Sequence, residues 1–467
     1  MAIDLTKPIA WKNANHEEQE MLQNLQGNIL KGHGRPMTIN LFFKIDPAKA
    51  ASMKKALREI ANFHVTSSMQ QLVETEEFHQ SGKPGETFVS LMLSSTGYTA
   101  LALAAARPTN PVFINGMRAA ASVAALNDPA VATWEVPFQT AIDGMLLVGD
   151  TDVNRLNIKR DELVTLLTEG GGTILHQQKG EVLLNQVGDG IEHFGYVDGR
   201  SQPLLLVEDI ERESTTAGIS EWDPQFALNA ALLPDPGVPA ATANINFGSY
   251  FVFRKLEQDV KAFKARELAG ALAVGRFEDG TPVTMSDEAK GETPPNNFGY
   301  KSDAAARCPF HGHIRKVNPR GTGNAEPEAA ERAHLMPRRG IPYADIPRKT
   351  HPSTLPAVNT LAEFNAKVAP LLPSNGVGLL FMAYNSKPEN QFQFSQQTWA
   401  NNTGFPLGVA PPPGVDPIIG NGPVSNQNWL RNWGSAAPTT PFSFQGFVKM
   451  RGGEYFFAPS LGFLKAL

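Results

Sequence analysis

Thr38-Ile39-Asn40-Leu41-Phe42-Phe43-Lys44-Ile45, followed at once by Asp46-Pro47, is the stretch from which the fold is read. Its β-branched and aromatic run predicts a strand, and the Asp-Pro pair supplies an N-cap and a first-turn residue for a helix running to about Asn62. Phe88 to Leu93 followed by Ser94 to Ala106 repeats the pattern, as does Gly144 to Val148 followed by a helix through Leu163, Leu166 and Leu167. In the second half, Ser249 to Arg254 reads as a strand, and Val260, Phe263, Leu268 and Leu272 then fall near helical spacing. Gly378 to Tyr384 has the character of a fully buried strand, with a helix predicted from Asn390 to Trp399. Similar units in both halves point to a structural duplication, although no residue-level repeat is visible. Two long irregular connections separate the units: Glu213 to Thr242, with Pro224, Pro234, Pro236 and Pro239, and Asn401 to Pro423, rich in Gly and Pro.

At 467 residues the chain exceeds the size at which one hydrophobic core stops growing, so two domains are expected. Apolar residues make up 42% and charged residues 19%, which is a globular composition. The net charge of −5 argues against a general polyanion-binding surface, so no nucleic acid partner is expected. Cys308 is the single cysteine, which rules out an intramolecular disulfide and any Cys-rich zinc or iron–sulfur site within one chain. The first thirty residues lack the basic flank and apolar core of a secretory signal, and no later run reaches transmembrane length. The expectation is a soluble, cytoplasmic protein with no membrane partner.

The densest chemistry lies in Arg307-Cys308-Pro309-Phe310-His311-Gly312-His313-Ile314-Arg315-Lys316-Val317-Asn318-Pro319-Arg320, with two histidines and four cations in fourteen residues. On an extended segment, His311 and His313 share a face and can bind one metal ion, although the local sequence lacks further ligands for a closed site. The plainer reading is that both imidazoles make hydrogen bonds in a loop. A third is that one of them is an axial haem ligand with nearby arginines facing the propionates. Spacing alone does not choose. A second cluster, His193-Phe194-Gly195-Tyr196-Val197-Asp198-Gly199-Arg200, sets a carboxylate between glycines that allow close backbone approach to a flat ligand, although by pattern alone the turn reading is favoured. A third, Pro337-Arg338-Arg339-Gly340-Ile341-Pro342-Tyr343, pairs two permanent cations suited to stabilising charge on a peroxide oxygen, or forms a solvated basic loop.

Taken together, Gly195-x-x-Asp198-Gly199, Cys308-Pro309-Phe310-x-x-His313-Ile314-Arg315-Lys316 and Arg338-Arg339-Gly340-Ile341-Pro342-Tyr343 resemble, in order, the motifs of the dye-decolorizing peroxidases, in particular the long subgroup of fungi and some bacteria. The resemblance continues through Asn24 to Arg35, Gly248 to Asp259, Gly378 to Tyr384 and Arg451 to Phe457, nearly the whole chain. It implies an α+β fold of two ferredoxin-like domains, duplicated antiparallel sheets with helices, enclosing a haem. Residues 1–235 would form the domain with the distal Asp motif, and residues 236–467 the domain with the proximal His and the distal Arg.

The resemblance also implies one haem b per chain, with His313 as its iron ligand and His311 a bystander. Asp198 and Arg338 are then the catalytic pair, Leu379 and Phe381 the apolar pair on the distal side, and Asp416 the acid bonded to the proximal imidazole. Arg315 becomes the first candidate for a propionate contact, while Arg200 departs from some relatives and has no assigned role. The implied activity is reduction of hydrogen peroxide through a ferryl intermediate, with single-electron oxidation of dyes or phenols. Trp399, Trp429, Trp433 and Tyr343 lie near haem-associated segments, where they are electron relays or, more plainly, core packing. Homo-oligomerisation is left open. Two alternatives stand beside this reading: a haem- or iron-handling protein with incidental turnover, and a non-haem metal hydrolase using His311 and His313.

Overall fold

Apolar side chains on successive residues, rather than on alternate ones, mark strands covered on both faces. In a computed structural model, which describes residues 3–266, 270–291, 295–358 and 360–467, the first half supplies β1 (Met37–Ile45), β2 (Phe88–Ser94), β3 (Gly144–Asp150) and β4 (Gly172–Glu181). β2 and β3 are buried along their whole length, and β1 at all but Met37 and Lys44. The second half supplies β5 (Phe247–Gln258), β6 (Ile341–Ala344), β7 (Val377–Asn385) and β8 (Val448–Ala458).

All eight join in one antiparallel sheet, in the order β4-β1-β3-β2-β8-β5-β7-β6. Within each half the order is therefore fourth, first, third, second. This is the ferredoxin-like arrangement twice over. The halves join where Phe456 and Phe457 of β8 pair with Ser94 and Leu93 of β2.

The two outer strands, β4 and β6, approach each other at the opposite seam. A Cβ added to Gly180 would lie 2.7 Å from Ile341 Cγ2 and 2.6 Å from Thr38 Oγ1, so only glycine permits this approach. Gln178 Nε2 donates to Asp345 Oδ1 (3.0 Å) and Arg348 pairs with Glu181 (2.8 Å), so side chains close the ring.

In the first half the crossovers are regular helices. Asp46 accepts from Ala48 N (3.0 Å), and after the turn Pro47–Lys49 comes α1 (Ala50–Phe63), whose Met53, Ala56, Leu57, Ile60 and Ala61 are buried at helical spacing. Asp152 caps α2 (Val153–Glu169), which buries Leu156, Leu163 and Leu167. The helix predicted over Ser94 to Ala106 is shorter: it spans Ser95–Ala100, because Ala102 enters the left-handed region (φ +53°) before the turn Ala104–Ala106.

The crossovers of the second half are largely irregular. Val260–Lys264 and Gly270–Val274 are single turns, and of the residues expected at helical spacing Leu268 lies outside the described residues. The helix expected from Asn390 to Trp399 is one turn, Phe392–Phe394, continued as a π-helical turn over Ser395–Ala400. Long segments freed from helix in this half carry most of the site. Among the described residues no helix is long and apolar enough to cross a membrane.

Candidate active site

A cavity of about 590 Å³ opens between the two halves, within the usual size range for a cofactor site. His313, Asp198, Arg338, Leu379 and Phe381 all line it. They come from three separate segments and one strand.

His313 begins the single turn His313–Lys316, set off from the preceding loop by Gly312. Its Nδ1 meets Asp416 Oδ2 at 2.8 Å, leaving Nε2 for the cavity. Asp416 is fully buried, and its other oxygen accepts from Ile418 N (2.8 Å) and Ile419 N (2.9 Å). Burial pushes this carboxyl's pKa up, but the facing imidazole and the three hydrogen bonds outweigh burial and hold it below the usual range. A buried carboxylate fixed in this way dictates both the tautomer and the tilt of the ring.

Asp198 lies at the end of a small hairpin in which Leu183–Leu184 pairs with Gly190–Ile191 and Ile191 bridges Val197. Its Oδ1 accepts from the N–H of Gly199, whose φ of +82° makes the turn that presents the carboxylate to the cavity. Glu192 braces the hairpin by accepting from Phe194 N (2.8 Å), Tyr196 N (3.0 Å) and Gln258 Nε2, and burial pushes its pKa up to about 7.

Arg338 stands on an extended segment that prolongs the sheet beside β7. Tyr384 N donates to Pro337 O (2.9 Å) and Arg339 N to Met382 O (2.7 Å), with Arg338 bridging Ala383. This pairing puts the guanidinium on the same wall as Leu379 and Phe381 of β7. Gln202 Oε1 accepts from Arg338 N (3.0 Å) and the carbonyl of Arg200 accepts from its Nη2 (3.0 Å), tying it to the segment that carries Asp198. Burial lowers the pKa of Arg338, while the negative charge of Asp198 opposes that shift. Arg200 itself pairs with Glu213 at 3.4 Å.

Two arginines that sequence reasoning did not single out also line the cavity. Arg276 donates to Gly280 O (2.7 Å), Pro295 O (2.9 Å) and Ser201 Oγ (3.3 Å), and Arg320 donates to Asn296 O (2.9 Å), Phe298 O and Ser201 Oγ (3.1 Å). Both are buried and donate to carbonyl, hydroxyl and amide oxygens; burial pulls their pKa values down to about 9 and about 10. Arg320 was legible as the last cation of the Arg307 to Arg320 stretch. Arg276 belongs to no motif, and no local signal marks it.

Arg315 is a correction. It was the leading candidate for a propionate contact, yet it is 1% exposed and lies off the cavity wall. Its guanidinium donates to Cys308 O (2.6 Å) and Asp303 O (2.8 Å), approaches Asp303 Oδ2 at 3.5 Å, and stacks against Tyr300 and Phe310. Successive residues on a helical turn are rotated by about 100°, so His313 and Arg315, two positions apart, point about 160° from each other. His311 is likewise buried, edge-on to Trp429 at 4.4 Å, and off the cavity wall, so the two histidines do not form a joint site. Of the aromatic residues considered as relays, Tyr343, Trp399 and Trp429 are buried and only Trp433 is exposed, at 38%.

Residues 24–182 match the family model described as the DyP dimeric alpha+beta barrel domain. Over its full length the chain is 43% identical to the multifunctional dye peroxidase DyP2 of Amycolatopsis sp. (strain ATCC 39116 / 75iv2), covering 100% of both sequences. The chain belongs to the dye-decolorizing peroxidase family. The structure of DyP2 superposes on this peroxidase with a TM-score of 0.92 at 41% identity, covering 100% of both chains. A DyP-type peroxidase of Anabaena sp. (AnaPX) follows with a TM-score of 0.88 at 38% identity, covering 99% of this chain and 98% of its own. A dye-decolorizing peroxidase solved in complex with 2,6-dimethoxyphenol has a TM-score of 0.74 at 26% identity, covering 95% of this chain and 98% of its own. The protein is thus a peroxidase from a family of haem enzymes, and a haem- or iron-handling carrier is not favoured.

Proposed function

We propose that the cavity holds one haem b per chain, with His313 as the iron ligand, and that the enzyme uses hydrogen peroxide to oxidise aromatic donors such as dyes and phenols. The observation that carries this reading is the imidazole of His313, which a buried carboxylate orients toward a chamber also lined by Asp198 and Arg338. The residues fit the group. Leu379, Phe381, Phe392, Ile314 and Ile419 offer apolar contact to a macrocycle, and Arg276 and Arg320 offer two buried cations to a pair of propionates, the role first given to Arg315. The division of the chain at 235/236 belongs to the same reading, supported by the repeated strand order on either side of it.

When bound, the haem supplies the iron that takes up peroxide and stores its two oxidising equivalents. Asp416, by holding the Nδ1 proton of His313, makes the imidazole a stronger donor. Asp198 accepts a proton from the nearer peroxide oxygen and returns it to the outer one, which leaves as water. Arg338, a permanent cation, stabilises the negative charge on that departing oxygen. Two phenolic donors then each give one electron and one proton, so that one peroxide and two phenols yield two waters and two phenoxyl radicals. The relative bound to 2,6-dimethoxyphenol supports phenols as donors.

The test compares absorption spectra and peroxide reactivity of the wild type with His313→Ala, Asp198→Asn and Arg338→Leu. His313→Ala is expected to lose the normal haem spectrum, and the other two to keep it while reacting with peroxide at least about 100-fold more slowly. A normal spectrum in His313→Ala would sink the ligand assignment.

A further inference from the structure

Lys316 lies one turn beyond His313 and its side chain is completely buried. The ammonium donates to three main-chain carbonyls, Asn402 O (2.7 Å), Phe405 O (2.8 Å) and Gly414 O. All three belong to the irregular segment between Ala400 and Gln427, which contains no helix or strand. Burial pulls the pKa of Lys316 down to about 7, against the attraction of Asp416. Three converging carbonyl dipoles favour the charged form, and they match the three donors of an ammonium group.

The last of these carbonyls, Gly414 O, is two residues before Asp416. Elsewhere the segment is tied by Gly414 N to Thr403 O (2.9 Å), Asp416 N to Ala400 O (2.8 Å) and Gln427 Nε2 to Val415 O (3.2 Å). One short turn thus carries both the imidazole and the anchor of the loop that brings the imidazole's carboxylate partner. An apolar side chain of similar length would fill the same space without desolvating a charge, so packing alone gives no reason for a lysine here.

We propose that Lys316 is a positioning residue: by gathering the carbonyls of Asn402, Phe405 and Gly414, it holds Asp416 in register with His313. The inference rests on the haem reading above, and it assigns to this side chain the control of how strongly the imidazole donates to iron.

The experiment uses the haem-loaded protein in four forms: wild type, Lys316→Met, Asp416→Asn and the double variant. Two quantities are read besides activity: the iron–imidazole stretching frequency of the ferrous form and the ferric/ferrous reduction potential. Loss of the Asp416 hydrogen bond weakens the imidazole's donation, so Asp416→Asn is expected to lower the frequency and raise the potential. Lys316→Met should shift both in the same directions, and the double variant should match Asp416→Asn in the stretching frequency, because the two residues act through one hydrogen bond.

A role of Lys316 as a buried charge alone predicts the opposite sign for the potential, since deleting a nearby cation favours the ferric state. A lowered potential, or wild-type values in Lys316→Met while Asp416→Asn shifts, would overturn the positioning role and leave the haem reading intact. Wild-type values in Asp416→Asn would overturn the proximal assignment and the positioning role together. If Lys316→Met does not fold, Lys316→Gln, with two donors on a shorter stem, carries the test: a partial shift in the same directions supports the role, and wild-type values overturn it.

Discussion

Four neighbouring positions, His311, His313, Arg315 and Lys316, have four different surroundings. Their residue types were readable from sequence, whereas their directions were not, because these depend on a single helical turn that begins at His313. Leu379, Phe381, Asp198 and Arg338 were legible through motifs, and the structure gathers them on one cavity. Arg276 was not, since its partners are main-chain carbonyls that no sequence pattern announces. The two arginines of the same stretch should separate experimentally. Arg315→Met leaves Asp303 and Cys308 O without their buried partner and is expected to cost about 3 kcal/mol in urea unfolding, with an unchanged haem spectrum. Arg320→Met removes a cavity-facing cation and is expected to weaken haem retention, read as faster transfer of haem to an acceptor protein.

Strands declared themselves more clearly than helices at the level of elements. β2, β3 and β7 are short apolar runs bounded by turn residues, and each appears within two residues of its predicted ends. The first-half helices carried caps and an apolar stripe, as at Asp46 and Asp152. In the second half the chain between strands is fixed by side-chain contacts to distant carbonyls, among them those of Arg320 and Lys316, and local periodicity does not encode these. The seam between β4 and β6 was equally silent, since it depends on the absence of a side chain at Gly180. Gly180→Val forces side-chain atoms against Ile341 and Thr38, and is expected to destabilise the protein by about 1–3 kcal/mol, measured by the urea midpoint.

Across the whole molecule, buried titratable groups set opposing slopes of stability against pH. Burial, reinforced by Arg35 and Arg339, pushes the pKa of His33 down to about 3, and burial pushes that of His311 down to about 3 and that of His193 down to about 4. Between about pH 4.5 and 6.5 the unfolded chain therefore binds three protons on these histidines that the folded one refuses, and stability rises with pH. Glu192 works the other way. With its pKa raised to about 7, it keeps a proton in the folded state that the unfolded state has lost above about pH 4.5. These three histidines outweigh it by two protons, so together the four groups contribute a climb of about 2.7 kcal/mol per pH unit across that window. Glu192→Gln should steepen the climb, as followed by urea midpoints from pH 4.5 to 6.5.

The sheet order has a consequence for synthesis. Of the eight strands β8 leaves the ribosome last, yet it takes the place between β2 and β5 and so links the two halves. While residues 151–447 are being translated, Val89 and Leu91 of β2 already bond Thr66 and Gln26, and only its end at Leu93 and Ser94 waits for β8. The two halves are therefore joined last, and the cofactor chamber, whose wall includes Val448 and Met450 of β8, is assembled only after translation has passed the final seam.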